Sequence, residues 1–120
     1  MRAASTLCLF LLLSLATPTL AQTIGGEYSV EGVDFDGSRY SGTATIEMTS
    51  SNTCRISWET GTSSTGLCMI YGNAFSAAYA IDSGVYGLLV YEIKDDGTLD
   101  GIWTIADTAG AGSETLTPIR

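Results

Sequence analysis

C-R-I-S-W-E-T-G-T-S-S-T-G-L-C-M, running from Cys54 to Met69, is symmetric about a turn residue. Cys54 and Cys68 stand at equal distances from Gly61, so an antiparallel pair folded about Gly61 sets the two cysteines opposite each other. Opposed Cβ atoms in such a pair lie about 4.5–5.5 Å apart, a little wider than a disulfide needs. A small local adjustment closes that difference. The same register puts Ile56 opposite Gly66 and Trp58 opposite Ser64 on the cysteines' side, while Arg55, Ser57 and Glu59 point the other way. One side of the hairpin is therefore apolar and the other wet, which is the pattern of a sheet with one buried face.

The alternation continues on both sides of the hairpin. Tyr40, Gly42, Ala44, Ile46 and Met48 alternate with Ser41, Thr43, Thr45, Glu47 and Thr49, and Tyr28 shares a face with Val30. From Gly26 onward no window holds apolar residues at helical spacing. A loop of the wrong length would turn the apolar residues of neighbouring strands to opposite faces, so the turns test the pattern. Three-residue loops ending in a residue that tolerates a left-handed backbone fit at Phe35-Asp36-Gly37, Ser50-Ser51-Asn52, Asp82-Ser83-Gly84 and Asp95-Asp96-Gly97. They pair Val30 with Gly42, Ile46 with Ile56, Tyr79 with Gly87, and Leu89 with Trp103. A two-residue loop at Gly72-Asn73 pairs Ile70 with Phe75 and Cys68 with Ala77. Only Asp107 to Gly112, longer and glycine-rich, leaves the register of its strand open.

Strands are predicted near 26–33, 40–49, 53–59, 65–71, 74–81, 85–94, 98–106 and 113–119. Eight strands joined by short hairpins form a meander with one apolar face, and closure on itself buries that face best. The expected fold is all-β: a small eight-stranded antiparallel up-and-down barrel of the calycin or avidin kind. A β-sandwich of two four-stranded sheets satisfies the same pattern and is the alternative. The predicted core is Tyr28, Tyr40, Ile46, Ile56, Trp58, Ile70, Phe75, Tyr79, Leu89, Tyr91, Trp103 and Leu116. An eight-stranded barrel can be filled by side chains or hold one small ligand. In so short a chain the inward aromatics are expected to fill it.

The first 21 residues read differently. Arg2 precedes an apolar run, Leu7 to Ala16, and Thr19-Leu20-Ala21 closes it with small residues at the cleavage-determining positions. Residues 1–21 are thus expected to be a signal peptide, and 22–120 a single β-barrel domain that is exported, periplasmic or secreted. The run is well short of the roughly 20 apolar residues that span a bilayer, so no membrane association is expected after cleavage. Cys8 would leave with the signal, and the remaining even pair is expected to form a disulfide in an oxidising compartment. From Gln22 the chain carries Arg39, Arg55, Lys94 and Arg120 against 13 carboxylates, a net charge of −9. This makes nucleic acid an unsuitable partner.

There is no histidine, which removes Ser-His-Asp and Cys-His catalysis and the usual nitrogen ligands of zinc. Glu47, Glu59, Glu92 and Asp100 are placed outward, and the inward list holds no charge. The expectation is therefore a non-enzyme with no cofactor and no metal. Asp34-Phe35-Asp36-Gly37 resembles the start of a calcium loop, but its twelfth position is Thr45 rather than Glu, so both it and Asp95-Asp96-Gly97 read as turns.

On the outward side, Leu67, Met69, Tyr71, Ala78, Tyr86, Leu88 and Val90 form apolar rows across three strands. Contiguous exposed apolar area marks a candidate surface for a protein partner or for self-association, and the segment Gln22 to Gly25 is too short to hide much of it.

G-E-Y-S-V-E-G (Gly26 to Gly32), D-G-S-R-Y-S-G-T-A-T-I (Asp36 to Ile46), C-R-I-S-W (Cys54 to Trp58), D-D-G-T-L-D-G-I-W-T (Asp95 to Thr104) and E-T-L-T-P (Glu114 to Pro118) together resemble a family of small exported proteins of Gram-negative bacteria labelled fibronectin-binding or fibronectin-binding-like. Most of these motifs are turns and core positions. The resemblance implies adhesion to a host matrix protein, and it singles out no residue as carrying that role. The functional expectation is an exported, non-enzymatic binding module acting through its outer apolar surface. The alternatives are a carrier of a small apolar ligand in the lumen and an inhibitor of a secreted hydrolase.

Overall fold

The computed structural model describes residues 23–120; the predicted signal peptide lies outside the described residues. Eight strands follow in order: β1 Gly26–Val33, β2 Arg39–Met48, β3 Thr53–Glu59, β4 Ser63–Tyr71, β5 Ala74–Ile81, β6 Tyr86–Ile93, β7 Leu99–Ile105 and β8 Gly112–Pro118. Each pairs antiparallel with the next and β8 returns to β1, closing an up-and-down barrel. The sandwich alternative is thereby set aside.

Turn chemistry sets the registers. Val30 pairs Gly42, Ile46 pairs Ile56, Ile70 pairs Phe75, Tyr79 pairs Gly87 and Leu89 pairs Trp103. Gly37, Gly84 and Gly97 take the left-handed backbone that ends their three-residue loops. The Ser50-Ser51-Asn52 loop does not follow suit, because Asn52 keeps a negative φ. There the Ser50 hydroxyl accepts from the amides of Asn52 and Thr53 and does the work of a left-handed residue. The register that stayed open is set by a wider loop, with Asp107 and Gly110 at positive φ, so that Trp103 pairs Gly112 and Leu99 pairs Leu116.

Cys54 and Cys68 are paired across β3 and β4 and form a disulfide, with Cα atoms 4.9 Å apart. Both are buried.

The interior divides into two ends. At the end carrying the Ser50–Asn52, Gly72–Asn73 and Asp95–Gly97 turns, Phe75, Leu99, Leu116, Tyr28 and the disulfide are fully buried. Ile24 precedes β1 and is buried with them, its carbonyl accepting from the Tyr28 hydroxyl. Tyr40, Ile70, Tyr79 and Trp103, expected in the core, are only partly buried against it. For Tyr40, Tyr79 and Trp103 the reason is positional: they line the opposite end, which is open.

Large rings fit a narrow barrel only where a neighbour gives way. A Cβ on Gly32 would lie 2.1 Å from the Tyr40 ring, and one on Gly87 would lie 2.1 Å from the Tyr79 ring. Glycine at those places lets the aromatic side chain lie flat on the adjacent strand.

Candidate functional site

One row of residues crosses five strands of the wall. Tyr91 on β6 faces Gly101 on β7, Gly101 faces Glu114 on β8, Glu114 faces Gly32 on β1, and Gly32 faces Tyr40 on β2. At Gly32 the missing Cβ makes room for the Tyr40 ring, and at Gly101 it admits the close approach of the β6 backbone. The Tyr40 hydroxyl donates to Glu114 Oε1 at 2.9 Å, and the Tyr91 hydroxyl donates to Oε2. Glu114 is 6% exposed and points inward.

This corrects the expectation that the lumen holds no charge. Glu114 lies beyond the loop whose register was open, and a slip of one residue there would have turned it outward. A signal was nonetheless present: Leu116, correctly placed in the core, shares its parity. Glu47, Glu59, Glu92 and Asp100 are exposed as expected.

Above Glu114 the barrel opens into a cup of about 200 Å³. Tyr40, Trp58, Tyr79, Leu89 and Trp103 form its walls, Thr60, Thr62, Ser64 and Asp34 its rim, and Glu114 its floor. Trp58 meets Tyr79 edge to face at 5.5 Å. Phe35, in the β1–β2 turn, covers Trp103 with ring centroids 4.8 Å apart. The expectation of a lumen filled by its aromatics thus holds for the disulfide end and fails at this one.

The polar chemistry of the cup is unbalanced. Burial raises the pKa of Glu114 by withholding water from its charged form, and the hydroxyls of Tyr91 and Tyr40, with the nearby indole N–H of Trp58, only partly offset this. Tyr91 and Tyr40 are shifted far upward, first by burial and then by the nearby Glu114 charge; Tyr79 is pushed up to about 12 by the same causes. The tyrosines therefore stay protonated as donors at any ordinary pH. The indole N–H groups of Trp58 and Trp103 are buried with no well-formed hydrogen bond, an arrangement that typically costs about 1–3 kcal/mol per group.

A pH dependence of stability follows. Because the folded-state pKa of Glu114 lies above the ordinary 4.5, the native state holds a proton that the unfolded chain has released. The stabilisation is complete below 4.5 and is lost as pH rises through the raised value. Asp36 and Asp96 are shifted the other way, by hydrogen bonds from Ser38 and from Thr98 respectively, and act below their ordinary 3.8. In urea melts between pH 5 and 8, wild type is expected to lose stability relative to Glu114→Gln as pH rises. Parallel profiles would place the carboxyl in water.

The calcium-like runs are turns. Asp36 accepts from the Ser38 amide and hydroxyl, Asp34 from the Phe35 amide, and Asp96 from the Thr98 amide.

On the outside, Leu67, Met69, Tyr71, Ala78, Tyr86, Leu88 and Val90 are all exposed. Leu67 lies beside Ala78 and Ala78 beside Leu88; Met69 lies beside Ser76 and Ser76 beside Val90. Val90 in turn faces Ile102 on β7, itself 54% exposed, which carries the patch onto a fourth strand.

Closure, strand order and the open cup define the class: an eight-stranded up-and-down β-barrel. No family model matches the chain, and no curated protein matches it. Solved structures do. A redesigned β-barrel is 14% identical with a TM-score of 0.72, covering 81% of this chain and 92% of that one. The redesigned β-barrel mFAP1 bound to DFHBI is 14% identical with a TM-score of 0.70, covering 78% and 94%. The fatty acid transporter REP1-NXSQ is 16% identical with a TM-score of 0.51, covering 81% and 96%. At these identities the likeness is one of fold.

Proposed function

We propose that this protein is an exported, non-enzymatic binding module that carries a small ligand in the cup. The observation that supports this reading is the cup itself: a concave, aromatic-walled space of about 200 Å³ whose floor is a buried, hydrogen-bonded carboxyl. Binding sites commonly combine apolar walls with a few placed polar groups in this way. Barrels of the same fold whose names record bound DFHBI or fatty acid transport lend support by analogy alone. Binding is favoured over catalysis because both oxygens of Glu114 are engaged by tyrosine hydroxyls. Native mass spectrometry of the protein purified from its own host is expected to show a retained small molecule that Trp58→Ala fails to retain. Equal retention by that variant would move the ligand elsewhere.

The outer apolar face supports a second reading, a protein partner or a second copy, and adhesion of the kind the sequence resemblance implies would use this surface. Met69 and Leu88 are 55% and 62% exposed and belong to no core. The double change Met69→Lys and Leu88→Lys is therefore expected to leave the melting temperature nearly intact and to abolish self-association or partner capture. Unfolding of that variant, or unchanged association, would dismiss this use of the face.

A further inference from the structure

We propose that the cup selects a small ring-bearing organic cation, an arylalkylammonium, with its charged nitrogen at Glu114 and its ring among Trp58, Tyr79 and Trp103. This rests on reading the cup as a ligand site and adds the chemistry of what it takes.

Among the described residues, the ionisable groups facing the cup are the carboxyls of Glu114 and Asp34 and the hydroxyls of Tyr40 and Tyr79, with no lysine or arginine. The side chains that act on Glu114 are Tyr91, Tyr40 and Trp58, all donors and none a cation. They are arranged to serve an ionised carboxylate, and burial alone opposes that form. A ligand cation supplies the missing counter-charge, since a buried charge is tolerated when it is both paired and hydrogen-bonded. The chain's net charge of −8 also concentrates small cations around it.

The walls and the size point the same way. Trp58, Tyr79 and Trp103 offer rings against which a ligand ring packs edge to face or offset-stacked. An engineered cavity of about 150 Å³ holds one benzene, so about 200 Å³ has room for one ring with a short ammonium arm. The Trp58 indole N–H, on a residue only 4% exposed, has no well-formed partner and lies near enough to Glu114 to favour its charged form.

Trp58 and Trp103 are the two tryptophans of the chain, so their fluorescence reports on the cup. The test titrates the intact barrel with phenethylammonium, its neutral analogue phenethyl alcohol, and phenylacetate. The ammonium is expected to bind at least about tenfold more tightly than the alcohol, as a charge-assisted hydrogen bond requires, with phenylacetate weakest. Glu114→Gln should bring the ammonium-to-alcohol ratio close to one. Asp34→Asn keeps the oxygen that accepts from the Phe35 amide, and should lower the same ratio by about twofold for a more exposed charge. It serves if Glu114→Gln fails to fold. If the alcohol or phenylacetate binds as tightly as the ammonium, the cation is overturned and the cup stands. If none of the three changes the emission, the cup reading falls with it.

Discussion

Trp58→Ala is expected to cost about 3–5 kcal/mol in urea melts, the range for removing a buried indole. Trp58 is 4% exposed and pairs with Ala44 on one side and Ser64 on the other. Neither small neighbour can move in to fill the space, so most of the lost volume remains as a cavity. The ring also gives up its edge-to-face contact with Tyr79. Trp103 sits lower on the scale although its alternation is the same. It lies at the open end, partly exposed, against Phe35 and over Gly112. Trp103→Ala should therefore cost clearly less than Trp58→Ala, below the range that full burial would give. A larger loss at Trp103 would mean that Trp103, and not Trp58, is the more deeply packed of the two indoles in the cup wall.

The second large effect concerns the bridge between β3 and β4. Changing Cys54 and Cys68 together to alanine should destabilise by about 3 kcal/mol, the chain-entropy cost of freeing a loop of this length in the unfolded state. For a domain of this size that lowers the melting temperature by on the order of 10–20 °C. The two half-cystines are 0% and 1% exposed, so the native protein should resist alkylation until it is both reduced and unfolded. Two thiols that alkylate readily without reductant would contradict the bridge.

What was legible in the sequence was the wall, and the reason is periodicity. With side chains alternating strictly, Gly37, Gly72, Gly84 and Gly97 fix loop lengths, loop lengths fix registers, and registers fix which of Ile46, Ile56 and Leu89 face inward. The same logic found the exposed row of Leu67, Met69, Leu88 and Val90. It failed where the chain stops being periodic. Across Asp107 to Gly112 the left-handed turns at Asp107 and Gly110 are separated by ordinary residues, and composition does not say how many residues such a loop consumes. Glu114 follows that loop, and its inward place became readable only through the parity of Leu116. The cup was hidden for a different reason. Tyr40, Tyr79 and Trp103 have the pattern of core residues, and pattern says which face a ring takes without saying whether the barrel closes over it.

The decisive group is Glu114, whose protonation links the buried floor of the cup to its ligand. Its carboxyl carbon can be followed by NMR as pH is raised, first in the empty barrel and then with saturating phenethylammonium. The midpoint is expected above the ordinary 4.5 in the empty barrel, as burial requires, and lower once the cation is bound. An ordinary midpoint that the cation leaves unmoved would place Glu114 in water and contradict both the buried floor and the ligand assigned to it.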